Sequence, residues 1–274
     1  MTNAEHAMKI KEWIINRERI GKSCFSREDV IVAFPSLMPR SINTSLAHFA
    51  KVRLIERLHR GFYCVVPPQY ALSECIHPYY YIDDLMSWLN RPYYLSLLSA
   101  ASLWGASHQK VMATQVMTQL PQLNVSSNRN SAIDWFYRKT VPSEFVLAKN
   151  GENGKLFYSN AELTAVDLVR YVDRAGGFSF VATVLAELKE ETDFSNAANG
   201  VFRTACTADI QRLGYVYEEV LGDHAQAAAI YDQLRTMTKE LDPIMLSPSS
   251  REEVKSKNGR WKVLVNSSIE IDDV

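Results

Sequence analysis

The sequence predicts a mixed α+β protein that begins with a winged helix-turn-helix domain. Residues 38–66 are expected to form a helix, a strand, a basic turn ending at Gly61 and a second strand. This is the order of a recognition helix followed by a wing. From Tyr93 onward, strand-like and helix-like segments follow one another without internal repeats, and a chain of 274 residues leaves room for a second, larger domain.

Two helices are predicted before the recognition helix. Residues 4–19 carry apolar side chains at helical spacing, and Gly21 follows as a stop signal. Ser26 precedes three charged residues, as an N-cap does, and the second helix is expected to end before Pro35. Pro39 then opens the third helix at its first turn, where a missing N–H group costs nothing.

The third helix and the hairpin after it carry the candidate DNA contacts. Ile42, Leu46, Phe49 and Ala50 are expected to face the core. The opposite face mixes cations with hydrogen-bonding side chains, which suit phosphates and base edges, and the basic turn before Gly61 can reach a phosphate or a narrow minor groove. A solvated helix face and a turn kept soluble by its charges are the alternative interpretation. The candidate DNA-binding residues are Arg40, Ser41, Asn43, Thr44, His48, Lys51, Arg53, Arg57, His59 and Arg60.

Charge is unevenly distributed along the chain. The formal net charge is −1, but residues 1–60 hold eleven lysines and arginines against six acids, which is a net +5 and leaves −6 for the remainder. A basic amino-terminal part suits contact with phosphate, whereas the acidic body suits another partner.

The Pro67-Pro68 pair interrupts the pattern and predicts a domain junction. We therefore expect a winged helix-turn-helix domain at residues 1–67, a connecting segment at 68–92 with a short helix over 83–89, and an α+β domain at 93–274. Strands are predicted at 93–96, 111–120, 132–139, 144–149, 155–159, 243–246 and 261–266, and helices at 99–104, 161–174, 178–189, 197–221 and 225–240.

Sequence motifs of known catalytic centres are missing. The chain has no Gly-x-Ser-x-Gly, P-loop or His-Glu-x-x-His motif, so no catalytic residue, metal or cofactor is assigned. Acidic clusters could bind Mg²⁺ for phosphoryl transfer, but solvated helix faces are the favoured interpretation. These clusters are Glu187, Glu190, Glu191 and Asp193, and the pair Glu218 and Glu219.

Compartment and membrane association can also be addressed from the sequence. The four cysteines form no Cys-x-x-Cys pair and are expected to be small buried hydrophobes in a reducing compartment. No apolar run is long enough to span a bilayer, and the first residues lack the features of a signal peptide. A cytoplasmic protein that does not bind membranes is therefore expected.

Several phrases of the second part resemble the AbiEi family of antitoxins. The most specific is Ser-Asn-x-Glu-Leu-Thr-Ala-x-Asp-Leu-Val at 159–169, and the resemblance runs from about residue 7 to residue 272. The other phrases are 93–105, 154–158, 170–171, 176–177, 184–188, 210–214 and 260–266.

The resemblance implies a bacterial protein with two activities. Its winged helix would bind double-stranded DNA at inverted repeats of its own promoter and repress the operon, with two copies meeting on the DNA. Its larger domain would counteract a nucleotidyltransferase toxin, AbiEii, encoded beside it, whether or not the two proteins touch. The alternative is a nucleic-acid-processing enzyme whose winged helix positions the substrate, with activity that depends on Glu187 or Asp193.

Overall fold

The computed structural model describes residues 3–106, 113–123, 132–196 and 200–271. Contacts between residues divide the chain into two compact units, which are described separately. The first unit comprises Met1–Tyr93, Met112–Val141 and Ala148–Phe157, and the second comprises Tyr94–Val111, Pro142–Leu147 and Tyr158–Val274. Residues 68–92 thus lie in the same unit as residues 1–67.

Three helices and a small antiparallel sheet form the amino-terminal part of the first unit. The sheet has the strand order β1-β3-β2, so β3 is its central strand. The elements, in chain order, are α1 (Asn3–Arg19), β1 (Cys24–Ser26), α2 (Arg27–Ala33), α3 (Pro39–Lys51), β2 (Ile55–His59) and β3 (Phe62–Val65).

Local sequence signals explain where these helices and the hairpin begin and end. The Ser26 hydroxyl accepts a hydrogen bond from the Asp29 backbone N–H, and the Asp29 carboxylate accepts one from the Ser26 N–H, so the N-cap prediction is confirmed as a complete capping box. Pro39 occupies the first turn of α3, as predicted. Gly61 has φ +83° in the turn between β2 and β3, a conformation that favours glycine.

An apolar core joins the helices to this sheet. The predicted inward side of α3 is correct for Ile42, Leu46 and Phe49, which are buried, while Ala50 is only partly buried. Close packing of such side chains supplies most of the stability of a small domain. The remaining buried members of the cluster are Ile10, Ile14, Phe25, Val30, Ile55 and Val65.

The cysteines do not all follow the prediction. Cys24 and Cys64 are buried as expected and lie opposite each other in the register of β1 and β3. Cys75 is only partly buried, and Cys206 is exposed at the N-cap of a helix, so the prediction of a buried hydrophobe is wrong there.

The segment after β3 contains two short 3-10 turns, at Pro68–Tyr70 and Pro78–Tyr80, and helix α4 (Ile82–Trp88). The structure thus bears out the predicted short helix. Tyr81, which precedes α4, is buried.

A five-stranded sheet contains the strands predicted between residues 93 and 159. Its order is β6-β5-β4-β8-β7, with β4 parallel to β8 and β5 parallel to β6. Val111 and Met112, predicted to open the second of these strands, lie outside the described residues. The strands are β4 (Tyr93–Leu95), β5 (Thr114–Gln119), β6 (Ile133–Arg138), β7 (Val146–Gly151) and β8 (Gly154–Ser159).

Helices dominate the second unit. The predicted helix at 161–174 ends at Arg170 and is followed by a 3-10 turn, and the helix predicted at 197–221 begins only at Thr207. Residues 197–199 lie outside the described part of the chain. The helices are α5 (Leu97–Leu103), α6 (Ala161–Arg170), α7 (Phe178–Leu188), α8 (Thr207–Tyr215) and α9 (His224–Met237).

Helix α6 is central, because α5, α7 and α8 all pack against it. Every residue from Ala161 to Val169 is buried, so this helix is enclosed and not amphipathic as a surface helix would be. Its buried polar residues therefore require internal partners.

A three-stranded sheet completes the second unit. Its strands are β9 (Ile244–Met245), β10 (Ser256–Asn258) and β11 (Val263–Val265), in the order β10-β11-β9. Strand β10 was not predicted, because Ser-Lys-Asn carries no apolar pattern. The mixed α+β class is confirmed. In the described ranges, no helix combines the length and the apolar character needed to cross a bilayer.

Candidate functional site

The predicted contact residues on α3 lie on its exposed side. Arg40, Asn43, Thr44, His48 and Lys51 are exposed, and Ser41 is partly buried. In the hairpin, Arg57 and Arg60 are exposed. The structure therefore presents several cations and hydrogen-bonding groups to solvent from one helix and the adjoining hairpin.

Two clefts border α3 on opposite sides. One, of about 560 Å³, lies between α1 and α3 and is lined by His6 together with Arg40, Ser41, Thr44 and His48. The other, of about 680 Å³, lies between α3 and the hairpin and includes Asn43, Arg53 and Arg57. The candidate residues thus form two groups on the two flanks of one helix.

Two candidate residues are already engaged in contacts within the first unit. The Arg53 guanidinium donates a hydrogen bond of 2.6 Å to the backbone carbonyl of Ser73. The His59 ring is partly buried, with its centroid 5.5 Å from that of Trp88. Both side chains are therefore less available to DNA than the sequence suggested.

Trp88 supports the hairpin in a way that the sequence did not reveal. Its ring stacks on Phe62 with a centroid distance of 4.9 Å and also meets the edge of His59. These contacts hold the end of β2 and the start of β3 against α4. No local pattern links a tryptophan in the connecting segment to the hairpin.

Arg27 was also missed by sequence reasoning. Its Nε donates a hydrogen bond of 2.7 Å to Oδ1 of Asn43, which ties the start of α2 to the exposed side of α3. Its backbone N–H donates to the carbonyl of Gly61 at 2.8 Å, so the same residue also contacts the hairpin turn.

The acidic residues considered as metal ligands lie in several environments. Glu190 and Glu191 are exposed near the end of α7, as a solvated face requires. Asp193 is also exposed, and hydrogen bonds from the side chain and backbone of Ser195 hold the pKa of its carboxyl group below the usual value. Among the residues that the structure describes, no group of three His, Cys, Asp or Glu side chains could hold a metal ion.

Glu218 and Glu219 are not simply solvated, contrary to the prediction. They lie on the π-helical turn Val216–Val220. The Glu218 carboxylate accepts hydrogen bonds from the Trp261 indole N–H and from Arg260, and that of Glu219 accepts one of 2.7 Å from Asn258. Both acids therefore attach the last sheet to the end of α8.

A buried polar network surrounds α6. The Tyr94 hydroxyl donates a hydrogen bond of 2.7 Å to Oδ2 of the fully buried Asp167. The Ser159 and Thr164 hydroxyl groups lie 2.7 Å apart. Asn160 caps the helix through the N–H of Leu163, at 2.9 Å. These contacts explain the Ser-Asn-x-Glu-Leu-Thr-Ala-x-Asp phrase as a set of structural hydrogen bonds.

The comparisons with known proteins agree with this geometry. A family model described as "AbiEi antitoxin C-terminal domain" matches residues 94–219, which contain all of α5 to α8 and the network around α6. The chain carries an AbiEi antitoxin domain. The family resemblance predicted from the sequence is thereby confirmed. The AbiEi antitoxin family is not an enzyme family.

A solved structure shares the overall fold. The crystal structure of the RV2827C protein from Mycobacterium tuberculosis matches with a TM-score of 0.66 at 13% sequence identity, covering 91% of this chain and 88% of that one. At this identity the likeness concerns the fold alone. No curated protein matches the chain.

The AbiEi match ends at residue 219, before α9 and the last sheet. Trp261 is nevertheless fully buried and packs against Gly214 of α8, inside the match. The Gln211 side chain also donates a hydrogen bond of 2.7 Å to the carbonyl of Trp261. The carboxy-terminal strands therefore form part of the same packed unit as the AbiEi helices.

Replacing Tyr94 with phenylalanine should destabilise the AbiEi domain moderately. The substitution leaves the buried Asp167 carboxylate without the hydroxyl donor, at an expected cost of about 1–3 kcal/mol. Urea unfolding of the full chain, followed by circular dichroism, measures the change. Tyr158→Phe on β8 is the matched control, because the Tyr158 hydroxyl has no hydrogen-bond partner among the described residues. Equal stability of Tyr94→Phe and the wild type would contradict a structural role for this pair.

Proposed function

We propose that this protein is the antitoxin of an AbiE-type system, which counteracts a nucleotidyltransferase toxin and represses its own operon. The observation that carries the antitoxin role is the AbiEi domain at residues 94–219. The specific toxin, the operon and the DNA contacts are inferred, with residues 93–274 as the antitoxin domain and residues 1–67 as the DNA-binding domain.

The arrangement of the first unit supports DNA binding. Helices α1 to α3 pack on a three-stranded sheet whose β2–β3 hairpin follows α3 directly, which is the arrangement of a winged helix. In that interpretation α3 is the recognition helix. Its exposed Arg40, His48 and Lys51, with Arg57 and Arg60 of the hairpin, supply positive charge for the phosphate backbone.

An operator with inverted repeats would require two copies of the chain. A two-fold repeat in the DNA is matched by two protein copies related by the same symmetry, with half-sites about one helical turn or a multiple of it apart. Two chains could assemble on the DNA without forming a dimer in free solution.

The antitoxin role is tested by expressing the neighbouring nucleotidyltransferase gene in a bacterial host, with and without this chain. We expect growth arrest by the nucleotidyltransferase alone and recovery when the chain is also produced. A nucleotidyltransferase that lacks its catalytic carboxylates is the control for toxicity. Continued growth arrest in cells that contain the intact chain would contradict the proposal.

A second experiment separates the two roles. The double variant Arg57→Ala/Arg60→Ala should still relieve growth arrest, because these residues lie in the proposed DNA-binding surface and outside the AbiEi domain. Expression from a foreign promoter removes the effect of autoregulation on protein amount. Loss of relief in this variant, at equal protein level, would place part of the antitoxin function in the hairpin.

A further inference from the structure

Arg27 lies where three elements of the first unit converge. It is the first residue of α2, its backbone N–H donates to Gly61 in the hairpin turn, and its Nε donates to Asn43 on α3. The last two contacts measure 2.8 and 2.7 Å. The guanidinium group is therefore held in one place before any ligand arrives.

A second guanidinium belongs to the same cluster. Arg57 is the cross-strand partner of Tyr63 in the hairpin. Burial raises the pKa of the Tyr63 phenol, and the positive charges of Arg57 and Arg27 oppose that rise, so both guanidinium groups act on one phenol. Two cations, an amide and a phenol gathered in this way form a set of donors suited to a phosphate oxygen.

Carboxylates border this cluster, and their positions decide where an anion could bind. Glu28 lies 3.6 Å from Arg27, but its side chain is 64% exposed, so it can move into solvent. Glu56 and Glu74 line the cleft that also contains Asn43 and Arg57. They would repel a phosphate on their side of the cleft. An anion is therefore expected on the side where Arg27 and Arg57 lie.

The hydrogen bond from Arg27 also limits what Asn43 can do. Reading adenine in the major groove requires the asparagine oxygen to accept a hydrogen bond while its amide nitrogen donates one. In this structure Oδ1 of Asn43 already accepts from Arg27. Asn43 is thus arranged to orient an arginine and to donate through its nitrogen, and not to pair with adenine.

From this geometry we infer that Arg27 is a phosphate-contacting residue of the DNA-binding surface and that Asn43 is its positioning residue. The inference rests on the proposed DNA-binding function and adds a residue from α2 to it. Nε and part of Nη1 are engaged by Asn43 and Glu28, and the rest of the five-donor guanidinium fork remains for a phosphate.

Arg27→Gln tests this assignment. The nitrogen of the glutamine side chain takes the place of Nε and can still donate to Asn43, whereas the charge is lost. Binding of the full chain to a fluorescein-labelled duplex of random sequence is measured by anisotropy over a range of KCl concentrations. Because each phosphate contact contributes about 0.9 to the slope of log K against log salt, we expect a slope smaller by about 0.9.

Two further variants make the result specific. Arg251→Gln removes one exposed charge from the second unit and should leave the slope unchanged. Arg27→Lys keeps the charge and should keep most of the slope. Asn43→Ala should weaken binding in the wild type but add little in the Arg27→Gln background, since the two residues act as one unit.

The possible results can be told apart. If the wild type binds in a salt-dependent manner and Arg27→Gln keeps the full slope at unchanged thermal stability, the assignment of Arg27 is wrong and the residue only ties α2 to α3. If Arg27→Gln unfolds, the slope of Arg27→Lys decides, because a slope reduced as much as by charge loss would refute the contact. If the wild type binds no duplex at all, this inference fails together with the proposed DNA-binding function.

Discussion

Replacing Gly214 with alanine is expected to disrupt the AbiEi domain strongly, because the added methyl group has no room. A Cβ atom at this position would lie 2.0 Å from Cη2 and 2.1 Å from Cζ3 of Trp261. The indole is fully buried and hydrogen bonded to Glu218, so it cannot rotate away. Strain of this size should cost on the order of 4 kcal/mol or more.

The measurement is thermal unfolding of the full chain, with an expected fall in Tm of about 10 °C or more. Gly259→Ala is the matched control, because a Cβ there meets no atom within 4 Å. Trp261→Leu should absorb much of the effect, so that the substitution at Gly214 costs less in that background. A Gly214→Ala protein as stable as the wild type would show that α8 and the last sheet do not pack as described.

Arg57→Ala/Arg60→Ala is expected to remove most of the DNA affinity. Both side chains are exposed at the hairpin, beside a glycine turn held by Trp88 through its neighbours Phe62 and His59. If both contact phosphates, the slope of log K against log salt should fall by about 2, and base contacts would add about 1–3 kcal/mol each. Anisotropy with labelled DNA from upstream of the gene measures both effects.

The control for this experiment is a charge-matched double variant on the other unit. Arg235→Ala/Arg251→Ala removes two exposed charges there and should leave the salt slope unchanged. Unfolding curves check that the hairpin variant is intact. A hairpin variant that binds as tightly as the wild type, with the same slope, would contradict the assignment of a wing.

Elements with strong local signals could be predicted from the sequence. Ser26 and Asp29 cap α2 by contacts within four residues, and Pro39 fixes the start of α3 through its own ring. The inward side of α3 followed from helical spacing alone. In each case the physical cause lies within one or two turns of chain.

The parts that were missed depend on distant residues. Strand β10 exists because it pairs with β11, although its own residues are polar. The contact between Arg27 and Asn43 joins residues 16 positions apart, and the support of the hairpin by Trp88 also comes from another element. Burial of α6 on all sides reflects packing by α5, α7 and α8, which no pattern within α6 reveals.

The most direct test of the proposed function is a gel-shift and footprinting titration of the full chain on the DNA immediately upstream of its gene, with competitor DNA and increasing salt. We predict selective protection of an inverted repeat, weakened by salt and lost in Arg57→Ala/Arg60→Ala. Binding no stronger than that to competitor DNA, at any salt concentration, would contradict the proposal that this AbiEi antitoxin represses its own operon.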